Sequence, residues 1–227
     1  MDDRVPSILD MLGPIMIGPS SSHTAGVARI AFAARRIFSA HPEWARLSFY
    51  GSLARTFRGH GSDKAAVGGL LGIRQDDERL AFSFELARRE GLDVEIVPIL
   101  DGPARYHPNT LVVELRGEGR QLRLRGASVG GGEIRLQSIN GFHTDLDGSL
   151  DAVLVLHLDE VGVIAKVSRV LADFGYNIAQ ISSHRRDKGD EALLVAEVDG
   201  SVSVSLLEAL RAIPAARDVV HIPSIRS

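Results

Sequence analysis

Apolar residues recur at three- and four-residue spacing in some stretches of the chain and at alternate positions in others. Val27, Ile30, Ala31, Ala34, Ile37 and Phe38 mark one face of a helix that starts directly after a polar cluster. "RLSFYGSLA" (46–54) predicts a strand, and "FRGHGSDKAAVGGLLG" (57–72) a glycine-rich loop. "DDERLAFSFELARREG" (76–91) reads as a helix with acidic residues in its first turn and Gly91 as its stop. Alternation then predicts strands in "DVEIVPIL", "NTLVVELRG", "RQLRLRGAS" and "EIRLQSING".

From residue 150 onward the pattern tightens. "DAVLVLHL" is a strand, and "GVIAKVSRVLADFG" a helix with Val163, Ile164, Val167, Val170, Leu171 and Phe174 on one face and Gly175 as its C-terminal cap. "NIAQISSHRR", the turn "DKGD" and "EALLVAEVDG" form a strand pair. "VSLLEALRAI" is a helix stopped by Pro214, and "DVVHIPSI" a last strand. The order β-α-β-β-α-β is that of ferredoxin-like folds. The expected class is α+β: an α/β domain over residues 1–147 and a ferredoxin-like domain over 150–227, with the boundary inside "FHTDLDGSLD".

Composition narrows the function classes. The 227 residues are 44% hydrophobic and 24% charged, as in ordinary globular proteins. A net charge of -3 and 5% aromatic content argue against nucleic acid as a partner. No apolar run approaches the roughly 20 residues that span a bilayer. The first residues are acidic and broken by Pro6 and Pro14, unlike a signal peptide, so a cytoplasmic location and no membrane association are expected. The chain has 0 cysteines, which excludes a thiolate nucleophile or a cluster held by its own thiolates.

The polar cluster is "IGPSSSHTAG" (17–26). One serine suffices to cap a helix. Ser20, Ser21, Ser22, His23 and Thr24 exceed that need, and a helix N-terminus suits an anion, although the glycine-and-lysine framework of a Walker A loop is missing. A cap, an anion cradle and one wall of an active site are the readings open to it. "RGHGSDKA" sets His60 between glycines that allow close approach of a ligand, followed by Ser62. Its alternative is a surface loop with a solvated histidine. "YHPNT" (106–110) is turn chemistry or a ligand contact through Asn109. "SVGGGE" (128–133) marks a bulge or a close backbone approach. His41, His143, His157, His184 and His221 read as structural or solvated.

In that order, "IGPSSSHTAG", "YGS…RGHGSDKA", "HPNT" and "SVGGGEI" resemble the β subunit of the iron–sulfur L-serine dehydratases. The C-terminal unit with "GVIAKVSRVLADFGYNIAQ" resembles the ACT domain of those subunits. The resemblance implies an N-terminal domain like the allosteric-substrate-binding domain of some phosphoglycerate dehydrogenases. It also implies a cysteine-bearing α subunit that holds a [4Fe–4S] cluster, with no metal held by this chain. The implied reaction converts L-serine to pyruvate and ammonia: a cluster iron acts as Lewis acid, a base takes the α-proton, water leaves and the enamine hydrolyses. His23 and His60 are the implied catalytic base and acid, in an order left open. Ser20, Ser21, Ser22, Thr24, Ser62 and Asn109 are implied to bind substrate. An ACT effector site is implied at Gly162 and Asn177, as is self-association through that domain, although Val161 stands where many ACT domains have proline. The competing class is a non-catalytic ACT-containing amino-acid sensor, which needs carboxylate and ammonium contacts but no paired imidazoles.

Overall fold

The computed structural model describes residues 21–225, which divide into two compact units at Leu136/Gln137. The described part of the first unit begins with a π-helical turn, Ser21–Ala25, that runs straight into α1 (Gly26–Phe38). All six stripe residues of α1 are buried, at 7% exposure or less. β1 (Trp44–Tyr50) pairs in parallel with β2 (Asp93–Ile99), and the crossover between them carries α2 (Gly51–His60), α3 (Ser62–Leu70) and α4 (Ser83–Arg89). A short 3-10 turn, Glu78–Phe82, leads into α4 and is capped by Asp77, whose carboxylate accepts from the Arg79 N–H at 2.9 Å. β3 (Thr110–Gly117) lies antiparallel to β1, and β4 (Arg120–Gly130) antiparallel to β3.

Two sequence expectations change here. The strand expected over 46–54 ends at Tyr50, because Gly51 turns to φ 56 and the next residues wind into α2. The glycine-rich loop expected over 57–72 is two helices hinged at Gly61, which is left-handed at φ 67. Glycine inside α3 is a packing device. A Cβ on Gly69 would overlap the Ala28 carbonyl, so α3 lies directly against α1. On its other side α1 packs on β4, where a Cβ on Gly126 would stand 2.8 Å from Ile30 Cγ2.

β5 (Glu133–Ile139) follows β4 after Gly131–Gly132 and is its hydrogen-bonded neighbour. β6 (Phe142–Leu146) joins the end of that sheet, in the order β2-β1-β3-β4-β5-β6. "FHTDL" is therefore a strand, and residues 147–150, where the sequence placed the boundary, connect it to the next one. β6 packs on the later strands of the second unit, and the compact division falls before it.

The second unit is β7 (Asp151–Leu158), α5 (Val163–Asp173), β8 (Ile178–Arg185), β9 (Glu191–Val198), α6 (Val204–Arg211) and β10 (Ala216–Ile222). The sheet order β10-β7-β9-β8, all antiparallel, is that of a ferredoxin-like βαββαβ unit. Val163, Val167 and Leu171 of α5 meet Leu206 and Leu210 of α6 over Val153, Val155, Leu194 and Ala196. Burying each large aliphatic side chain of this kind stabilises by about 1.5–3 kcal/mol relative to exposure. The buried stripe of α5 is narrower than its sequence suggests: Ile164 is 49% and Phe174 43% exposed. A helix laid on one sheet buries its i, i+4, i+8 row, and residue 164 lies about 100° around from it.

Candidate active site

The site assembles where the C-terminal end of β1 meets the residues entering β3. Gly51 faces Pro108 so closely that a Cβ there would lie 2.8 Å from the Pro108 carbonyl. That carbonyl accepts from the N–H groups of Ser52 (2.9 Å) and Leu53 (3.3 Å), the first donors of α2. "YGS" and "HPNT" are thus tied backbone to backbone. The Asn109 N–H donates to His107 Nδ1 at 3.1 Å, and its carbonyl accepts from Ser128 N–H at 3.0 Å. Ser128, fully buried, lies against Gly26, where a Cβ would overlap its Oγ. "SVGGGE" is the end of β4 and its turn into β5, where Gly130, Gly131 and Gly132 take positive φ and a Cβ on Gly130 or Gly131 would meet nothing within 4 Å. Arg29 of α1 reaches the same turn and donates from Nη1 to the Gly132 carbonyl at 2.8 Å.

Side chains then converge. The Ser52 hydroxyl donates to Asn109 Oδ1 at 2.7 Å, and Ser52 Oγ lies 3.3 Å from His23 Nε2. The His23 and His60 rings have centroids 4.8 Å apart with planes inclined by 35°. Thr24 donates its hydroxyl to the His60 carbonyl at 3.1 Å, fastening the π-helical turn to the end of α2. Thr24 is therefore not a helix cap, and among the described residues no side-chain hydrogen bond caps α1 at Ala25. Burial lowers the pKa of His23 below the ordinary histidine range, and the charge of His60 lowers it further. His23 is thus neutral near pH 7 and able to accept a proton. Ser62 Oγ and His60 Nδ1 are buried without a hydrogen-bond partner among the described residues. Leaving such a group unmatched costs about 1–3 kcal/mol, which marks it for a functional explanation.

Of the residues singled out in the sequence, His23, Thr24, His60 and Asn109 come together through these contacts, and Ser62 follows His60 by one hinge residue. Ser20 lies outside the described residues, and only the backbone of Ser21 and Ser22 is described. Ser52 was missed. Its signal was its place in "YGS", hidden because that segment alternates like a strand. In the second unit, Gly162 stands at φ 88 before α5, Val161 beside it is fully exposed, and Asn177 donates its amide to Asp199 Oδ2 at 2.7 Å. Among the remaining histidines, His157 bonds its neighbour's carbonyl at 2.7 Å, His221 pairs with Asp151 at 2.7 Å, and the His143 and His184 rings stack edge-on at 5.3 Å.

The resemblance assigns the iron–sulfur cluster to an α subunit and not to this chain. It has 0 cysteines, and among the described residues no group of three or more His, Asp or Glu could hold a metal ion. No helix among them is long and apolar enough to cross a membrane.

Fold and site define a two-part chain in which a buried polar cluster precedes an ACT domain. Comparison with known proteins agrees: residues 152–215 match the ACT domain family, and residues 7–88 match the family described as serine dehydratase beta chain. The chain is 43% identical over 208 residues to the "Probable L-serine dehydratase, beta chain" of Bacillus subtilis, covering 92% of this chain and 94% of that one. It is 37% identical over 205 residues to the "L-serine dehydratase, beta chain" of Peptoniphilus asaccharolyticus, covering 90% and 92%. A D-3-phosphoglycerate dehydrogenase of Bacillus subtilis is 28% identical over 119 residues, covering 52% of this chain and 22% of that one. The chain belongs to the L-serine dehydratase beta-chain family.

Proposed function

We propose that this chain supplies the acid–base and substrate-binding half of an L-serine dehydratase, a lyase assembled with a cysteine-bearing α subunit in the cytoplasm. The observation that carries the reading is the pairing of His23 and His60 at 4.8 Å within a cluster built by all four motifs. One imidazole removes the α-proton of L-serine; the other delivers a proton to the departing β-hydroxyl, which leaves as water. The enamine so formed tautomerises to an imine, and water hydrolyses it to pyruvate and ammonia. Thr24, Ser62 and Asn109, with Ser20, Ser21 and Ser22, hold the carboxylate and ammonium of the substrate. The [4Fe–4S] cluster belongs to the α subunit, since this chain has no thiolate for it. A sensor would use no such pair of imidazoles.

The N-terminal unit is proposed to be of the allosteric-substrate-binding type. In support, the similarity to D-3-phosphoglycerate dehydrogenase over 119 residues is longer than the ACT segment 152–215 can supply. The ACT domain is proposed to bind a small effector near Gly162 and Asn177 and to pair with a second copy. The test of the main reading is reconstitution. Pyruvate should form from L-serine when this chain is mixed anaerobically with an iron-loaded α subunit, and not with either chain alone. Robust turnover by this chain without iron overturns the assignment, as does an inert mixture that nevertheless forms a complex.

A further inference from the structure

We propose that Ser52 and Asn109 form a relay that sets the tautomer of His23, holding its proton on Nε2 and leaving Nδ1 as the basic nitrogen. A serine hydroxyl has one proton to give and two lone pairs with which to accept. Ser52 Oγ makes two side-chain contacts, with Asn109 Oδ1 at 2.7 Å and with His23 Nε2 at 3.3 Å. Asn109 Oδ1 is a carbonyl oxygen and can only accept, so the Ser52 proton is committed there. Ser52 can then receive only an N–H from His23, which puts the proton of the neutral ring on Nε2. The 2.7 Å separation supports this sense, since O–H···O bonds centre near 2.7–2.8 Å and N–H···O bonds near 2.9–3.0 Å. A reversed Asn109 amide would donate to Ser52, turn the serine proton toward His23 and produce the opposite tautomer.

The relay is rigid for reasons of backbone chemistry. The N–H of Ser52 is held by the Pro108 carbonyl, and the Ser52 carbonyl accepts from the Thr56 hydroxyl at 3.0 Å. Asn109 is pinned on both sides, by His107 Nδ1 and by Ser128 N–H. The backbone of each residue is thereby fixed beside the ring. The lowered pKa of His23 keeps the ring neutral near pH 7, the condition under which a tautomer is defined. In neutral imidazole only the nitrogen without hydrogen is a base, so the tautomer decides which edge of the ring can take a proton. The inference rests on the reading of His23 as an acid–base group and makes Ser52 and Asn109 positioning residues.

The test is nitrogen NMR of the full chain with ¹⁵N-labelled histidine, His23 being assigned by its disappearance in His23→Gln. The unsubstituted chain should show the Nε2–H tautomer. Ser52→Ala and Asn109→Ala should each shift His23 toward a mixture of tautomers, whereas Asn109→Asp, which keeps an acceptor beside Ser52, should retain Nε2–H. An Nδ1–H tautomer in the unsubstituted chain overturns the proposal, as does an unchanged Nε2–H in both alanine variants. Loss of Nε2–H in Asn109→Asp also overturns it. In the reconstituted complex, Ser52→Ala should lower kcat by about 10–100-fold, the range for removing a group that orients a functional histidine, and leave KM nearly unchanged. Ser52→Thr should restore it. The NMR result needs no partner and no turnover, so an inert complex would refute the proposed reaction while leaving the tautomer measured.

Discussion

The two units differ in emphasis, since each also holds the other kind of group: Phe82, Leu100 and Val129 of the first are exposed, and His157 and Glu197 of the second are buried. In the first, groups suited to chemistry are drawn inside: Thr24 is 2% exposed, Ser62 0% and Ser128 0%. In the second, α5 and its two ends carry apolar side chains outward, with Val161 fully exposed and Ile164 and Phe174 nearly half so. Burial makes every donor and acceptor answerable, since an unmatched one costs free energy, and so the first unit has few arrangements open to it. Exposure imposes no such account. The second unit draws its stability from a continuous aliphatic layer and leaves its surface unconstrained. Polar geometry sets what the first unit can do, whereas packing sets whether the second one folds.

The largest effect that would break this contrast lies in the first unit. His23→Ala and His60→Ala should each lower kcat of the reconstituted complex by about 10²–10⁴-fold, with circular dichroism and partner binding unchanged. The double variant should lose less than the product of the two effects if the rings act as one unit. His184→Ala, on β8, is the control and should turn over normally. Near-normal kcat in both single variants would reduce the buried cluster to packing.

Next in size is a pair of changes on one helix. Leu171→Ala removes a fully buried side chain and should destabilise the second unit by about 2–5 kcal/mol in denaturant unfolding. Ile164→Ala, 49% exposed, should stay within about 0.5 kcal/mol. Equal effects at the two positions would mean that the face of α5 bearing Ile164 is covered in solution.

A smaller effect concerns acid. Burial by itself would raise Asp151, but the N–H groups of Ser224 and Val202 and the ring of His221 outweigh it and hold its carboxyl below the usual range. A carboxyl lowered by folding stabilises above its unfolded pKa, and that contribution is lost as pH falls through the folded value. Thermal melts should therefore fall off below about pH 4, and Asp151→Asn should flatten that fall while costing about 1–3 kcal/mol at neutral pH. An acid-insensitive melt would refute this. The smallest expected change is a titration. His60→Ala should move the midpoint of His23 upward, toward the ordinary histidine value, because one of the two causes that lower it is gone. An unmoved midpoint would leave burial as the whole cause.

What could be read from the sequence follows the same division. The ACT half was legible element by element, because each strand and helix repeats its period over enough residues to be counted. The width of the buried stripe on α5 was misjudged, and the last strand, expected from Asp218, begins at Ala216 and ends at Ile222. In the first unit the motifs were legible and their local structure was not. "YGSLA" alternates like a strand, yet Gly51 and the distant Pro108 carbonyl turn it into a helix, and that partner lies more than fifty residues away. "GHGSDKAAVGG" reads as a loop by composition, yet its glycines at 68 and 69 sit inside a helix. Ser52 could not be singled out, because nothing local distinguishes a serine that bridges Asn109 and His23 from one at a strand end. "FHTDL" was noted only as the start of the boundary segment and not as a strand, since its packing partners come later in the chain.

The close contacts of α1 carry a consequence for how such a chain can change over generations. Its helix is seated by what is missing at Gly26, Gly69 and Gly126, where an added methyl would run into Ser128, the Ala28 backbone or Ile30. A lineage can exchange leucine, isoleucine and valine across the aliphatic layer in small, mutually correcting steps, because volume lost at one site can be regained at its neighbour. No neighbour can compensate for a side chain at Gly69, which would stand against the main chain of Ala28. Substitutions should therefore accumulate in the bulky interior and halt first at Gly69, which offers selection no intermediate, whereas Gly26 and Gly126 can change only together with Ser128 and Ile30.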